Sequence, residues 1–298
     1  MTTTTIVTMP VTKQESLFKR VLTNPSGIFS VGIIVAVILF GIIAPLVSPY
    51  NAIDPDVYNL QAPPSALHWF GTDSAGRDIL TRLAFATNFS LEAAALAVVI
   101  AIAIGVVSGL IAGYFGGWFD SLSNWLTSIL MALPGLVVLL AAASVLGPSM
   151  WTAMTIFGIL LSPAYFRLVY VTVRAVKNEL FVDAARVSGL SDFRIIGRHI
   201  LGVVRTPIII QTAIIGSIAI AIQAGLEFLG LGDTSNPSWG SMLNDAFARI
   251  YVNPLLLIWP SGIIALITLS LVVFANTLRD ELERTGPKRM KVKKGNEK

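Results

Sequence analysis

Six apolar runs, each long enough to cross a lipid bilayer, constrain this chain more than any other feature of its sequence. A hydrocarbon core takes about 20 apolar residues in a helix. The runs are Ile28–Val47, Leu91–Ile111, Leu122–Leu146, Met150–Val173, Ile208–Leu226 and Leu255–Leu278. Charged residues make up only 13% of the 298 residues, against about a quarter in soluble domains. We therefore predict an all-α, multi-pass membrane protein with six transmembrane helices in a domain covering residues 28–278.

The distribution of Lys and Arg predicts the orientation of these helices. Seventeen of the 21 Lys and Arg residues lie before the first run, between the fourth and fifth runs, or after the sixth. The positive-inside rule then places segments 1–27, 174–205 and 279–298 in the cytoplasm, with both termini. Loops 48–90 and 228–254 are extracytoplasmic, and the longer one is expected to face an external partner. Within the basic tail 279–298, the part from Lys288 to Lys298 is expected to be a disordered anchor at anionic lipid. The cations cluster at the flanks of the membrane, so their excess does not indicate nucleic-acid binding.

Prolines interrupt three of the predicted spans. Pro134, Pro163 and Pro260 fall within the third, fourth and sixth runs, where a missing N–H and a ring clash bend or break a helix. Kinked helices are typical of transporters with a moving bundle. Neighbouring helices can also satisfy the freed carbonyl groups, in which case the prolines have no functional role.

The polar segment 174–205, which we name the contact loop, is the main candidate site. The spacing of apolar residues predicts a short amphipathic helix over Glu179–Ser188. Its apolar side chains are expected near one stripe: Leu180, Phe181, Ala184, Ala185 and Val187. The paired alanines would leave a shallow surface on which another protein packs closely. A helix that simply lies on the membrane surface explains the pattern equally well.

Two residues are predicted to separate this helix from a second one. Gly189 is expected to end the first helix in the left-handed conformation. Ser191 is expected to cap a second helix running from Asp192 to Leu201. The contact loop would then consist of two short helices joined by a tight bend.

Several blocks of sequence resemble a known family. Asp183-Ala-Ala, with Gly189 four residues further on and followed by Ile195–Leu201, is similar to the EAA loop of permease subunits of binding-protein-dependent ABC importers. Other blocks resemble the C-type permease of dipeptide and oligopeptide importers: Asn24-Pro25, His68–Asp78, Ala112–Gly117, Phe228–Gly232 and Pro237–Met242. Gly202 departs from the family pattern, which usually has proline there.

The resemblance implies a type I importer permease in the bacterial plasma membrane, forming half of a translocation pathway. Its expected partners are a homologous second permease, ATP-binding subunits or domains, and an extracytoplasmic peptide-binding protein. ATP and Mg would be bound by the ATPase partners, with no cofactor in this chain. Expected substrates are di- or oligopeptides, with nickel chelates or another small solute as the alternative. The expected ATPase-docking residues are Glu179, Asp183, Ala184, Ala185, Ser188 and Gly189.

Two residues near the outer end of the fifth span are candidates for the substrate path. Gln223 stands where the family usually has Glu, and Glu227 stands where a small residue is usual. Glu92 and Glu227 are the carboxylates that fall within or at the edge of a span, and ionisable groups there are functional candidates. Contact with the amino group of a peptide is one hypothesis for Glu227. Solvation by water at the outer boundary is the simpler interpretation for both carboxylates.

The chain lacks the motifs that would let it act alone. It has no GxxxxGK[ST] phosphate loop, so we expect no ATP hydrolysis by this chain itself. It has no cysteine, and its two histidines show no metal-ligand spacing, so neither an enzyme nor a metal site is expected. An ion-coupled secondary transporter is the other class considered. It would be expected to show central ionisable residues and an inverted repeat, and neither is evident.

Overall fold

A computed structural model describes residues 20–232 and 236–285 of the chain, and these residues are largely helical. The helices are α1 (Pro25–Val47), α2 (Ile79–Phe115), α3 (Gly117–Ala132), α4 (Gly135–Leu146), α5 (Met150–Val176), α6 (Leu180–Val187), α7 (Asp192–Arg194), α8 (Leu201–Phe228), α9 (Trp239–Phe247) and α10 (Ile258–Thr285). A π-helical segment, Ile195–Ile200, joins α7 to α8, and a 3-10 turn, Pro254–Leu257, precedes α10. The described residues contain no β-strand, and the predicted all-α fold is confirmed.

Five helical segments are long and apolar enough to cross a membrane: Pro25–Val47, Ile79–Phe115, Met150–Val176, Asp192–Phe228 and Pro254–Arg284. The second segment, α2, begins at Ile79, twelve residues before the predicted start at Leu91. The loop before it therefore ends at residue 78 and not at residue 90. Of the predicted terminal segments, residues 1–19 and 286–298 lie outside the described residues.

The third predicted span is broken. α3 and α4 meet at an angle of 83°, so the single run Leu122–Leu146 does not form one straight helix. Leu133 is extended because a residue before proline is disfavoured in the helical region, and Pro134 begins the next helix as its N-cap. With 16 and 12 residues, α3 and α4 are about 24 and 18 Å long, each shorter than a hydrocarbon core.

The other two prolines do not break their helices. Pro163 lies inside α5, which continues through it from Met150 to Val176. Pro260 is the third residue of α10, a position in the first turn where proline is tolerated. It therefore lies near the start of the last spanning segment, Pro254–Arg284, and does not kink its middle.

The centre of the bundle is a close contact between α2 and α5. One stripe of α2 carries a small residue at every fourth position, all buried: Ala93, Ala97, Ala101, Gly105, Gly109 and Gly113. A Cβ added to Gly105 would fall 2.7 Å from Cβ of Tyr165 and closer still to the carbonyl oxygen of Ser162. On α5, a Cβ at Gly158 would fall 2.7 Å from the carbonyl oxygen of Ala97. The two backbones touch because small residues line both sides, as is common between membrane helices.

The α9 helix fixes the start of α2, at the end of the bundle away from the contact loop. Trp239 is fully buried there. Its backbone N–H donates to Oγ of Ser90 at 3.1 Å, and its indole N–H donates to Oγ1 of Thr87 at 3.2 Å. Asn88 donates to the carbonyl oxygen of Gly41 in α1 at 2.8 Å. These bonds satisfy polar groups of α2 that would otherwise be costly to bury.

The close contact of α2 with α5 predicts a strong position dependence for glycine substitutions. Gly105→Ala forces the two helices apart and is expected to destabilise the protein by about 2 kcal/mol, a typical cost of overpacking. Gly262→Ala in α10 is the matched control, because its added methyl group meets no atom within 4 Å. Thermal unfolding of the detergent-solubilised protein measures both. An equal stability of the two variants would contradict the assigned packing.

Candidate functional site

The contact loop presents its first helix, α6, on the surface of the bundle. Val182 is fully buried and Ala185 is 7% exposed, and both belong to the main hydrophobic core. Ala185, which we predicted to belong to the docking set, therefore packs against the rest of the chain. The apolar stripe expected from the sequence is divided between an inner and an outer face.

The outer face of the contact loop is apolar and uncovered. Leu180, Val187 and Phe193 are 85%, 89% and 82% exposed. Ala184 and Ser188 are also exposed. Three large, exposed apolar side chains on one short loop make this surface a candidate contact site.

Gly189 ends α6 as predicted. Its φ is +78°, in the left-handed region. The N–H of Leu190 donates to the carbonyl oxygen of Ala185 at 3.1 Å, and the N–H of Gly189 donates to that of Arg186 at 2.9 Å. This pair of bonds is a Schellman motif, which turns the chain sharply toward α7.

The second helix of the contact loop differs from the prediction. Ser191 precedes it, but its side chain makes no capping bond, and its carbonyl oxygen instead accepts from the N–H groups of Arg194 and Ile195. The helix does not end at Leu201, because it passes through the π-helical segment into α8 and forms one segment, Asp192–Phe228. Short π-helical segments inside helices occur frequently at functional sites.

Two charged residues of the predicted docking set lie at the start of α6. Glu179 is the N-cap, where its backbone carbonyl accepts from Val182 and Asp183 and its side chain makes no capping bond. Asp183 forms an ion pair with Arg186 at 3.1 Å. Both carboxylates are exposed, so they are accessible to a partner.

Tyr114, near the end of α2, holds the contact loop in place and was not predicted from the sequence. Its hydroxyl group donates to Oδ1 of Asp192 at 2.6 Å. The guanidinium of Arg186 lies 5.6 Å from the centre of its ring, within the range of a cation–π interaction. Its place in the block Ala112–Gly117 was the available signal, but the chain gives no local indication that Asp192 is near.

A buried charged group, which we name the Asp73–Arg82 cluster, lies at the opposite end of the bundle. It contains Asp73, Arg77, Arg82 and Asp245. Arg82 is 5% exposed and pairs directly with Asp73 and, at 3.5 Å, with Asp245. Burial alone would raise the pKa of Asp73, but the Arg82 guanidinium and the N–H groups of the nearby loop backbone outweigh it and hold that pKa below its ordinary value. Asp73 is therefore ionised and neutralises a buried cation.

The structure places both predicted substrate-path residues in the interior. Glu227 is 4% exposed and accepts a hydrogen bond from Ser238, so its carboxylate is held by the protein and does not lie open at the surface. Glu92 is exposed on α2. Gln223, one turn before Glu227, is fully buried, and its amide group has no hydrogen-bond partner among the described residues.

Glu227 contributes to a polar cavity shared with the Asp73–Arg82 cluster. The cavity has a volume of about 270 Å³. Its polar lining consists of Arg77, Arg82, Glu227, Asn236, Ser241, Asn244 and Asp245. Cationic and anionic groups thus face one space at the end of α8. Within the described residues, no group of three or more His, Asp or Glu side chains could hold a metal ion.

Comparison with known families decides what kind of protein this is. Residues 105–285 match the model of the binding-protein-dependent transport system inner membrane component. The chain belongs to this family. Residues 15–64 also match the N-terminal transmembrane domain of oligopeptide transport permease C. The chain is therefore a multi-pass membrane permease of the ABC importer class, as the motifs predicted.

The alignments with individual relatives cover most of this chain. The dipeptide transport system permease protein DppC of Alkalihalophilus pseudofirmus is 36% identical over 267 residues, covering 89% of this chain and 88% of the relative. The glutathione transport system permease protein GsiD of Escherichia coli is 38% identical over 253 residues, covering 84% and 83%. GsiD of Shigella flexneri is 39% identical over the same length.

The geometry of Gly189 makes a prediction about the contact loop. Gly189→Ala places a Cβ in the left-handed region, at a cost of about 1 kcal/mol. We expect amide hydrogen exchange of α6 to become about fivefold faster. Gly197→Ala is the control in the same loop, because Gly197 has no positive φ and no atom within 4 Å of an added Cβ. Equal exchange in both variants would show that the bend at Gly189 carries no strain.

Proposed function

We propose that this permease is one of two permease subunits of an ATP-driven importer of di- or oligopeptides, and that it forms half of the translocation pathway. Relatives at 36% to 39% identity are named for the transport of a dipeptide and of glutathione, which is itself a tripeptide. The single observation that carries the mechanism is the uncovered apolar face of the contact loop, with Leu180, Val187 and Phe193 exposed.

The contact loop docks an ATPase, which binds ATP and Mg. The exposed members of the predicted set, Glu179, Asp183, Ala184, Ser188 and Gly189, form the surface that meets it. Ala185 acts from the inner face by seating α6 on the bundle. One contact loop per chain corresponds to one ATPase subunit or domain, so a second, homologous permease supplies the site for the other.

The permease lies in the bacterial plasma membrane with the contact loop and both termini in the cytoplasm. The cations at the contact-loop end support this orientation: Arg174, Lys177, Arg186, Arg194, Arg198 and Arg205. The Asp73–Arg82 cluster then lies at the extracytoplasmic end. Loop 48–78 and α9 meet an extracytoplasmic peptide-binding protein there.

Transport follows from movement of helices that connect the two ends. α2 and α5 move together because their backbones are in contact. The segment Asp192–Phe228 runs from the contact loop to Glu227 as one helix. A displacement imposed by the ATPase on the contact loop therefore changes the surroundings of the polar cavity.

Cysteine crosslinking tests the docking proposal. The chain has no cysteine of its own, so single replacements report one position each. We expect Val187→Cys and Ser188→Cys, both on the outer face, to crosslink to the ATPase in the assembled importer. Val182→Cys is the control on the inner face of the same helix, and the fully buried side chain should give no crosslink. Crosslinking at Val182 alone, or ATP hydrolysis by the purified permease without its partners, would refute the proposal.

Glu227 and Gln223 line the substrate path in this proposal, with Glu227 accepting a hydrogen bond from the peptide α-ammonium group. Glu227→Gln keeps the size and the contact with Ser238 but removes the charge. We expect the KM for uptake of a dipeptide with a free amino group to rise about tenfold, the loss of one charge-assisted hydrogen bond. Glu283→Gln, which changes an exposed carboxylate near the end of α10 and outside the proposed sites, is the control. An unchanged KM in Glu227→Gln would remove Glu227 from the path.

A further inference from the structure

Tyr114 contacts the contact loop at three separate points. At the beginning of the loop, Nζ of Lys177 donates to the carbonyl oxygen of Tyr114 at 3.4 Å. In α6, the guanidinium of Arg186 lies over the Tyr114 ring. In α7, Asp192 accepts from the Tyr114 hydroxyl group. Tyr114 itself is only 7% exposed, so the packing around it restricts its ring. Its three contacts join separate parts of the contact loop to the end of α2.

The rest of α2 is suited to carry a displacement over a long distance. The helix is unbroken for 37 residues, or about 55 Å. Its last turn contains Tyr114, and its first turn contains Arg82, which is paired with Asp73 and Asp245. Between them, the small-residue stripe fixes α2 to α5. A displacement of Tyr114 is therefore transmitted along α2 to the Asp73–Arg82 cluster, because no hinge interrupts the helix.

We propose that Tyr114 is the positioning residue that makes α2 follow the docking helices of the contact loop, an inference that rests on the proposed docking of the ATPase there. The hydrogen bond to Asp192 ties α7 to the end of α2. When the ATPase moves α6 and α7, this bond prevents the contact loop from sliding over the helix end. Without this bond, ATP hydrolysis continues, but α2 no longer moves fully with α6 and α7.

The test is the number of peptides imported per ATP hydrolysed, measured in proteoliposomes containing the complete importer and a radiolabelled dipeptide that the wild-type complex accumulates. Tyr114→Phe keeps the buried ring and its cation–π contact with Arg186, and removes the hydroxyl group that bonds to Asp192 and also interacts with Arg186. We expect the ratio to fall about tenfold, the effect of losing one hydrogen bond to a charged group, with ATP hydrolysis maintained. A purely structural role for Tyr114 would lower import and hydrolysis together and leave the ratio unchanged.

Tyr170 provides a matched control. Its hydroxyl group lies 3.2 Å from Oδ2 of Asp120, and the guanidinium of Arg174 lies 5.5 Å from its ring centre. Tyr170 thus makes the same two kinds of contact as Tyr114, one to a carboxylate and one to a guanidinium. These contacts join α3 to α5 and do not involve α6 or α7. We expect Tyr170→Phe to retain the wild-type ratio.

Changes at Asp192 test the same bond from its other side. Asp192→Asn keeps an acceptor for Tyr114 and is expected to retain most of the ratio. Asp192→Ala should also lower the ratio, and the double variant should be no worse than Tyr114→Phe, because both changes remove the bond between Tyr114 and Asp192. An unchanged ratio in Tyr114→Phe, or in Asp192→Ala if the former does not assemble, overturns the proposal. So does an equal loss in Tyr170→Phe.

The crosslink from Val187→Cys separates this inference from the docking proposal. In the Tyr114→Phe background, we expect the crosslink to the ATPase to persist while the ratio falls. Absence of the crosslink in the otherwise unchanged chain would refute docking itself. A persistent crosslink with a wild-type ratio would refute only the role of Tyr114.

Discussion

The backbone contact between α2 and α5 is the interaction on which the rest of the molecule depends. Lipid tails are as apolar as the side chains of these helices, so burial of apolar surface from water cannot drive the two helices together. Close packing of backbones, permitted by Gly105, Gly109 and Gly158, supplies dispersion contacts that bulkier side chains would prevent. The other helices and both candidate sites are arranged around this pair, because α2 reaches from one end of the bundle to the other.

The two ends of α2 are fixed by polar contacts of different kinds. At one end, Arg82 is buried and requires a counter-charge, which Asp73 and Asp245 provide; removing one partner of a buried pair leaves an uncompensated charge. At the other end, Tyr114 connects to the contact loop through exposed partners, Arg186 and Asp192. The buried end is therefore anchored strongly, whereas the contact-loop end can be displaced at modest cost.

Hydropathy predicted the spanning helices because backbone groups in lipid must be satisfied within a helix. The left-handed bend at Gly189 could also be predicted, because it depends only on neighbouring residues in the sequence. The first turns of α2 were missed, since Arg82, Thr87 and Ser90 read as loop residues until their tertiary partners are known. The burial of Ala185 was missed because amphipathic spacing does not show which face meets the bundle. Pro134 predicted a bend or break, but a proline does not by itself specify the angle of 83° between α3 and α4.

The contact loop has a second, direct connection to the bundle through the segment Asp192–Phe228, which is one long helix. This helix continues through Gly202, where the family usually has proline, and also through Pro207. A proline in its first turns is therefore compatible with the connection. The docking helices then act on two long helices at once: on α2 through the side chain of Tyr114, and on α8 through the backbone. Since α8 ends beside Glu227 and α2 begins at Arg82, both connections converge on the same polar cavity.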